Sequence, residues 1–116
     1  MNNTGEIETN QIWETLKKEI LKCSECELSQ SRHYVIFGEG NTNAEIFIIG
    51  EAPGRDEDLQ GRPFVGKSGQ LLDKILAACG FTRNEHVFIS NIIKCTFQQS
   101  GKMGTHSKSA CFKSRA

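Results

Sequence analysis

The amino-acid sequence predicts an α/β fold built on a parallel strand–helix–strand unit, and three observations carry that prediction. "AEIFIIG" (Ala44–Gly50) is an apolar, β-branched run that stops at glycine; without polar alternation it reads as a strand covered on both faces. "SGQLLDKILAACG" follows after a turn-rich loop, with Leu71, Leu72, Ile75, Leu76 and Cys79 on one face of a helix. "HVFISNIIK" (His86–Lys94) repeats the buried-strand pattern. Strands joined through a helix in this way pair in parallel, with a right-handed crossover.

The other elements follow in chain order. Met1–Thr9 is polar, and disorder is expected at its start. Ile12, Trp13, Leu16 and Ile20 recur at helical spacing, which predicts a helix to about Lys22 with Thr9 or Asn10 as its N-cap. "KCSEC" ends it. "YVIFGEG" reads as a short strand and a turn, and Asn41–Asn43 as a loop. In the crossover helix, Ser68 is the expected N-cap and Gly80 the expected C′ residue. From Thr96 to Ala116 the chain is rich in Ser, Lys, Gln and Gly without a clear period, so a loop with one helical turn near Cys111 is expected. The organisation is therefore a folded unit over residues 1–95 and a tail over residues 96–116.

Composition narrows the function classes. At 116 residues the chain is one domain or part of one, with a thin core of the kind that often needs a staple. A formal net charge of zero gives no global field toward nucleic acid or membrane. The distribution is uneven, however: no acid follows Glu85, while Lys94, Lys102, Lys108, Lys113 and Arg115 do. That basic quarter could meet phosphates, although charge alone favours a solvated tail. Apolar runs such as Ile46–Ile49 are far too short to span a bilayer, and the polar, acidic N-terminus has no secretory signal pattern. A cytoplasmic location is the expectation. Five cysteines without such a signal argue against a disulfide scaffold and point to a metal site, a redox site or buried thiols.

Cys23 and Cys26 form a C-x-x-C at a helix end, where a tight turn can point both sulfurs at one metal atom or cluster. With Cys95 and Cys111 they could complete a Cys₄ zinc site or a [4Fe–4S] cluster. Only one pair is close in sequence, which leans toward the cluster without excluding zinc. Cys79, on the apolar helix face, reads as a small buried hydrophobe. His33, His86 and His106 are isolated and read as ordinary surface or core residues.

The loop "GEAPGRDEDLQGRPFVG" (Gly50–Gly66) holds both prolines of the chain and four carboxylates. Glu51, Asp56, Glu57 and Asp58 could position a water, accept hydrogen bonds from a base or bind Mg²⁺. Phe64, between Pro63 and Gly66, could stack on a planar ring, and the Asn91 amide can donate and accept at a nucleobase edge. The plain alternative is a tightly turned surface loop with solvated acids and a core phenylalanine. Topology adds that this loop and Ser90, Asn91 and Lys94 all leave carboxyl ends of strands, the edge where open α/β sheets bind ligands.

The whole pattern, "GEAPGRDEDLQGRPFVGKSGQLLDKIL" then "VFISNIIKC" preceded by the C-x-x-C, resembles the family 4 uracil-DNA glycosylases, the iron–sulfur branch of that superfamily, from about Ile12 to Cys95. The resemblance implies a three-layer α/β/α fold around the βαβ core, with residues 1–95 the N-terminal part of the glycosylase domain and 96–116 a divergent cluster-binding loop and basic tail. It implies hydrolysis of the N-glycosidic bond of uracil in DNA for base excision repair. It implies that Cys23, Cys26, Cys95 and Cys111 hold a [4Fe–4S] cluster, since the family's fourth cysteine lies sixteen positions after its third, as Cys111 does after Cys95. By the same analogy Glu51 is catalytic, Phe64 stacks on the flipped uracil, Asn91 reads the base edge, and Glu57 crowds the side where thymine carries its methyl. The implied partner is uracil-containing DNA, single- or double-stranded, bound by a monomer with no membrane association. Two departures stand out. The segment between the last two cysteines, "TFQQSGKMGTHSKSA", lacks the family's prolines. The sequence also stops at Ala116, where relatives continue with further strands and a second motif bearing a His. The expectation is a truncated member that lacks the C-terminal part of the sheet and turns over poorly by itself; the alternative is a non-catalytic remnant that binds a cluster, DNA or both.

Overall fold

A computed structural model describes residues 4–96, 98–99 and 102–103, with side chains described for residues 8–96. Helix α1 (Thr4–Leu21) leads through the cysteine pair to a short α2 (Leu28–Ser31). Strand β1 (Glu39–Gly40), strand β2 (Ile46–Gly50), α3 (Arg55–Gln60), α4 (Lys67–Ala78), α5 (Arg83–His86) and strand β3 (Val87–Asn91) follow. Beyond them Gln98–Gln99 (β4) pairs antiparallel with Lys102–Met103 (β5), a ladder that the tail composition does not announce.

The main sheet has the order β1-β3-β2. Strands β2 and β3 are parallel, in register from Ile46 opposite Val87 to Gly50 opposite Asn91, and β1 runs antiparallel to β3. Because side chains alternate along a strand, this register sorts the apolar residues onto two faces. Ile48, Val87 and Ile89 pack with Leu72, Leu76, Phe81 and Phe64, beneath α4. Phe47 and Phe88 turn the other way, toward Trp13 of α1, whose ring centroid lies 4.9 Å from Phe88 and 6.4 Å from Phe47. The result is three layers, α1 over the sheet over α4. All five residues of β3 are buried, as befits a strand with a neighbour on each side.

Several expectations are corrected. Helix α1 starts at Thr4, so Thr9 and Asn10 lie inside it rather than capping it. Among residues 8–21 of α1 only Trp13 and Ile20 are half-buried, and Ile12 and Leu16 are exposed. Strand β2 is not covered on both faces: it is the outer strand of the described sheet, and Ile46, Phe47 and Ile49 are exposed. Regular pairing in "YVIFGEG" is limited to Glu39–Gly40, though Ile36 N–H donates to the Lys94 carbonyl at 2.8 Å. Strand β3 ends at Asn91, not Lys94, although Ile92 and Ile93 still donate to Gly50 and Glu51 carbonyls at 3.0 Å.

Helix α4 caps two residues earlier than expected, at Gly66, so Ser68 lies inside it. Its C-terminus matches the expectation at Gly80, which has φ +79°. Gly80 N–H donates to Ala77 O at 3.0 Å and Phe81 N–H to Leu76 O at 2.8 Å, the two bonds of a Schellman motif, with Phe81 and Leu76 in one apolar cluster. Only Gly69, Leu72 and Leu76 of α4 face the sheet; Leu71, Ile75 and Cys79 are exposed, so Cys79 is not a buried thiol. A run of apolar residues wider than the contact stripe explains the error, since periodicity shows an apolar face but not how much of it is covered. Among the described residues no helix is long and apolar enough to cross a membrane.

Candidate active site

The loop between β2 and α4 is held from inside by one of its own acids. Glu57 Oε1 accepts from Gly54 N–H at 3.0 Å, and its Oε2 accepts from Val65 N–H at 3.2 Å and Gly66 N–H at 2.8 Å. The first of these bonds caps α3, and the other two fix the turn that starts α4, which is why that helix begins before Ser68. Pro53 and Pro63 are fully buried at the two ends of the loop. Asp58 turns away from its neighbours: it is 4% exposed, accepts from His33 N–H at 2.8 Å through Oδ1, and lies 2.6 Å from His33 Nδ1 through Oδ2. His33 is therefore a tether to α3 rather than an isolated side chain.

Phe64 is the one non-glycine residue with positive φ among the described residues, at +51°. That conformation costs about 1–3 kcal/mol for such a side chain and persists only where its surroundings enforce it. Two features enforce it here. The Arg83 guanidinium donates through Nη1 to Pro63 O at 3.0 Å and through Nη2 to Phe64 O. Gly69 lets the Phe64 carbonyl press against the first turn of α4, where any Cβ would overlap it. The ring then projects over Gly50, at the carboxyl end of β2. A Cβ at Gly50 would come 2.6 Å from Phe64 Cζ and would also overlap Asn91 Oδ1, so ring and amide meet over this one glycine. Asn91 is Gly50's partner in the parallel register and is 3% exposed.

Together these residues border a cleft of about 480 Å³ at the carboxyl edge of the sheet, lined by Glu51, Glu57, Phe64 and Asn91 along with Arg55, Asp56 and the first turn of α4, Lys67–Gly69. Glu51, Glu57, Phe64 and Asn91, the four residues to which the family resemblance gives a role, are thus brought to one place with Asp56, and Asp58 is excluded from it. Ser90 and Lys94 also leave this edge but serve the opposite face: Lys94 Nζ donates to Ser90 Oγ at 2.5 Å and to the Asn91 carbonyl at 2.6 Å, and sits over the Phe37 ring. A loop with carboxylates, a sheltered amide, an aromatic face and a helix N-terminus offers a planar heterocycle both stacking and hydrogen bonding.

Sequence reasoning missed Arg83 and Glu39. Arg83 also donates to Glu39 Oε1 at 2.9 Å and to Asp73 Oδ1 at 2.5 Å, and Arg62 grips both Glu39 oxygens at 2.8 and 3.0 Å. Burial pushes the Glu39 carboxyl up, but hydrogen bonds and charge from Arg62 and Arg83 outweigh it and hold it below the ordinary carboxylate range. No local pattern marks either residue, since their partners are distant in sequence.

The thiols form a second locus behind the cleft. Cys95 is buried with Leu28 and Ile93, and Cys26 packs against that cluster. Burial pushes the Cys95 thiol up, Arg32 Nη1 at 3.3 Å draws it back, and the nearby sulfurs of Cys26 and Cys23 add to the rise. Among the described residues no three Cys, His, Asp or Glu side chains converge on a point that would hold a single metal ion. The sulfurs of Cys23 and Cys26 both lie within electrostatic reach of Cys95, so three of the four thiols singled out from the sequence are gathered on one side of the fold. Cys111 lies outside the described residues.

Comparison with known proteins converges on one family. The model of the uracil DNA glycosylase superfamily matches residues 37–115. The type-4 uracil-DNA glycosylase of Archaeoglobus fulgidus is 50% identical over 78 residues, which cover 67% of this chain and 39% of that protein. That of Sulfurisphaera tokodaii is 44% identical over 82 residues, 71% of this chain and 37% of its own length. That of Thermotoga maritima is 42% identical over 85 residues, 73% and 44% respectively. The chain spans less than half the length of these curated relatives.

Proposed function

Since the chain belongs to the uracil DNA glycosylase superfamily, we propose that it forms the base-binding cleft of a type-4 uracil-DNA glycosylase, a hydrolase that cuts the N-glycosidic bond of uracil in DNA. The observation that carries this reading is the meeting of the Phe64 ring and the Asn91 amide over Gly50. An enzyme acting on a base inside DNA must flip it out, stack it and read its pairing edge. Phe64 supplies the stacking face. Asn91 can donate to a uracil carbonyl and accept from the ring N–H; cytosine presents the reverse pattern and leaves the amide unpaired. Glu57, held by three backbone N–H groups, is a fixed wall at which the methyl of thymine is refused. The departing base carries negative charge, and the first turn of α4 lines the cleft with its positive end. Glu51, on the same cleft, supplies negative charge toward the sugar or orients the attacking water.

Cys23, Cys26, Cys95 and Cys111 would hold a [4Fe–4S] cluster, which would supply a cross-tie between the end of α1 and the exit of β3. The protein works on chromosomal DNA in the cytoplasm, as a monomer. Single-turnover excision from an oligonucleotide carrying one uracil, read as strand cleavage by alkali at the abasic site, tests the reading. Uracil should be removed, slowly, and thymine spared, with Asn91→Ala and Phe64→Ala each slowing the reaction further by about a hundredfold. Equal binding of uracil and thymine oligonucleotides, with neither cut, would overturn it.

A further inference from the structure

The side chain that does most to shape the cleft does not line it. Arg83 opens α5, across the sheet edge from the loop, and its side chain is 13% exposed. Its guanidinium reaches the carbonyl oxygens of two successive loop residues, Pro63 and Phe64. Those carbonyls belong to the peptide on either side of the strained Phe64 Cα, so binding both at once fixes the turn in which the ring is carried. Only a planar fork of N–H donors can do this while also engaging carboxylates, and here Glu39 and Asp73 accept from two further N–H groups at 2.9 and 2.5 Å. Glu39 is in turn clamped by Arg62, which sits one residue before Pro63. The network therefore closes on the loop from both directions.

We propose that Arg83 is a positioning residue for base recognition, one that holds the Phe64 ring against the Asn91 amide by binding the Pro63 and Phe64 carbonyls, with Glu39 and Asp73 aligning its guanidinium. The proposal rests on the reading that Phe64 and Asn91 take a uracil, and it adds a specificity element outside the cleft. A lysine at this position keeps the charge but cannot span both carbonyls and both carboxylates, so Arg83→Lys should behave nearly as badly as Arg83→Gln.

The test measures binding of a single-stranded oligonucleotide with one 2′-fluoro-2′-deoxyuridine, whose glycosidic bond resists hydrolysis, against the same strand with thymidine. Arg83→Lys should weaken uracil-strand binding about tenfold, the scale of one charge-assisted hydrogen bond, and leave thymidine-strand binding unchanged. In a Phe64→Ala background the same substitution should cost nothing further, because Arg83 acts through the ring. Full additivity with Phe64→Ala would overturn the proposal, as would unchanged uracil-strand binding. Should Arg83→Lys fail to fold, Glu39→Gln keeps the shape, misaligns the guanidinium, and should give a smaller loss with the same non-additivity. Proton spectra without ligand separate this inference from the functional reading. Cross-relaxation between the Phe64 ring and the Asn91 amide should be strong in the parent and lost in Arg83→Lys; its persistence would overturn the positioning role even in a protein that binds uracil, and its loss would uphold the role even in one that does not.

Discussion

Gly50 lines the cleft between the Phe64 ring and the Asn91 amide. Its absent side chain is the space where Phe64 and Asn91 meet, so Gly50→Ala should displace one of them. Uracil-strand affinity should fall at least tenfold and the unfolding midpoint should drop by several degrees, since Asn91 is buried and Phe64 also packs against the core beneath α4. Equilibrium binding beside a thermal melt checks the pair. Asn91→Asp tests base choice at the same spot. A carboxylate can only accept, so it loses the bond to a uracil carbonyl and gains one from the amino group of cytosine. The ratio of uracil to cytosine excision should fall by about tenfold or more, the consequence of one or two buried polar groups left unpaired; an unaltered ratio would remove Asn91 from base reading.

At the scale of elements, α3 and the start of α4 share one carboxylate. Glu57→Ala removes acceptors from three backbone N–H groups at once. A loss of about 1–3 kcal/mol is expected, seen as a fall in the denaturant midpoint with no change of slope. Glu57→Gln should retain part of it, because one amide oxygen remains. The Glu39 brace sets a pH dependence for the same loop. Its folded-state pKa is lowered, so its contribution is present above the unfolded glutamate value of about 4.3 and is lost as pH falls through the lowered folded value. Phe64 ring resonances should therefore be flat through neutral pH and shift only in acid, and Glu39→Gln should abolish that acid transition.

Across the whole molecule, the thiol locus joins the segment after α1 to the segment after β3, two stretches that are more than sixty residues apart in sequence and that Arg32 and Cys95 bring together. A cross-tie there would restrain a chain with a thin core. Anaerobically purified protein should contain about four irons per chain and lose them on Cys95→Ser, while the exposed Cys79→Ala leaves them in place. Removing the iron should lower the melting temperature. Stoichiometric zinc in place of iron would refute the assignment.

The sequence by itself determined the α/β class, the parallel pairing of β2 with β3, the glycine stop of α4 and the cleft residues Glu51, Glu57, Phe64 and Asn91. The first three are written in local signals, apolar runs of strand length and a helical repeat ending at Gly80, while the family resemblance set the four cleft residues apart from Asp56 and Asp58. Parallel pairing follows from strand, helix, strand order alone, and it carries both strand ends, with their side chains, to one edge. Tertiary structure decided what depends on a distant neighbour. It exposed Ile46, Phe47 and Ile49 because β2 borders the described sheet, and it left Leu71, Ile75 and Cys79 outward because α4 meets the sheet along a narrower stripe than its apolar residues cover. It turned Asp58 to His33 while Asp56 and Glu57 stayed on the cleft. Above all it placed Arg83 and Glu39 behind Phe64, nineteen and twenty-five residues away along the chain, where no periodicity or motif reaches and only the folded arrangement brings charge to carbonyl.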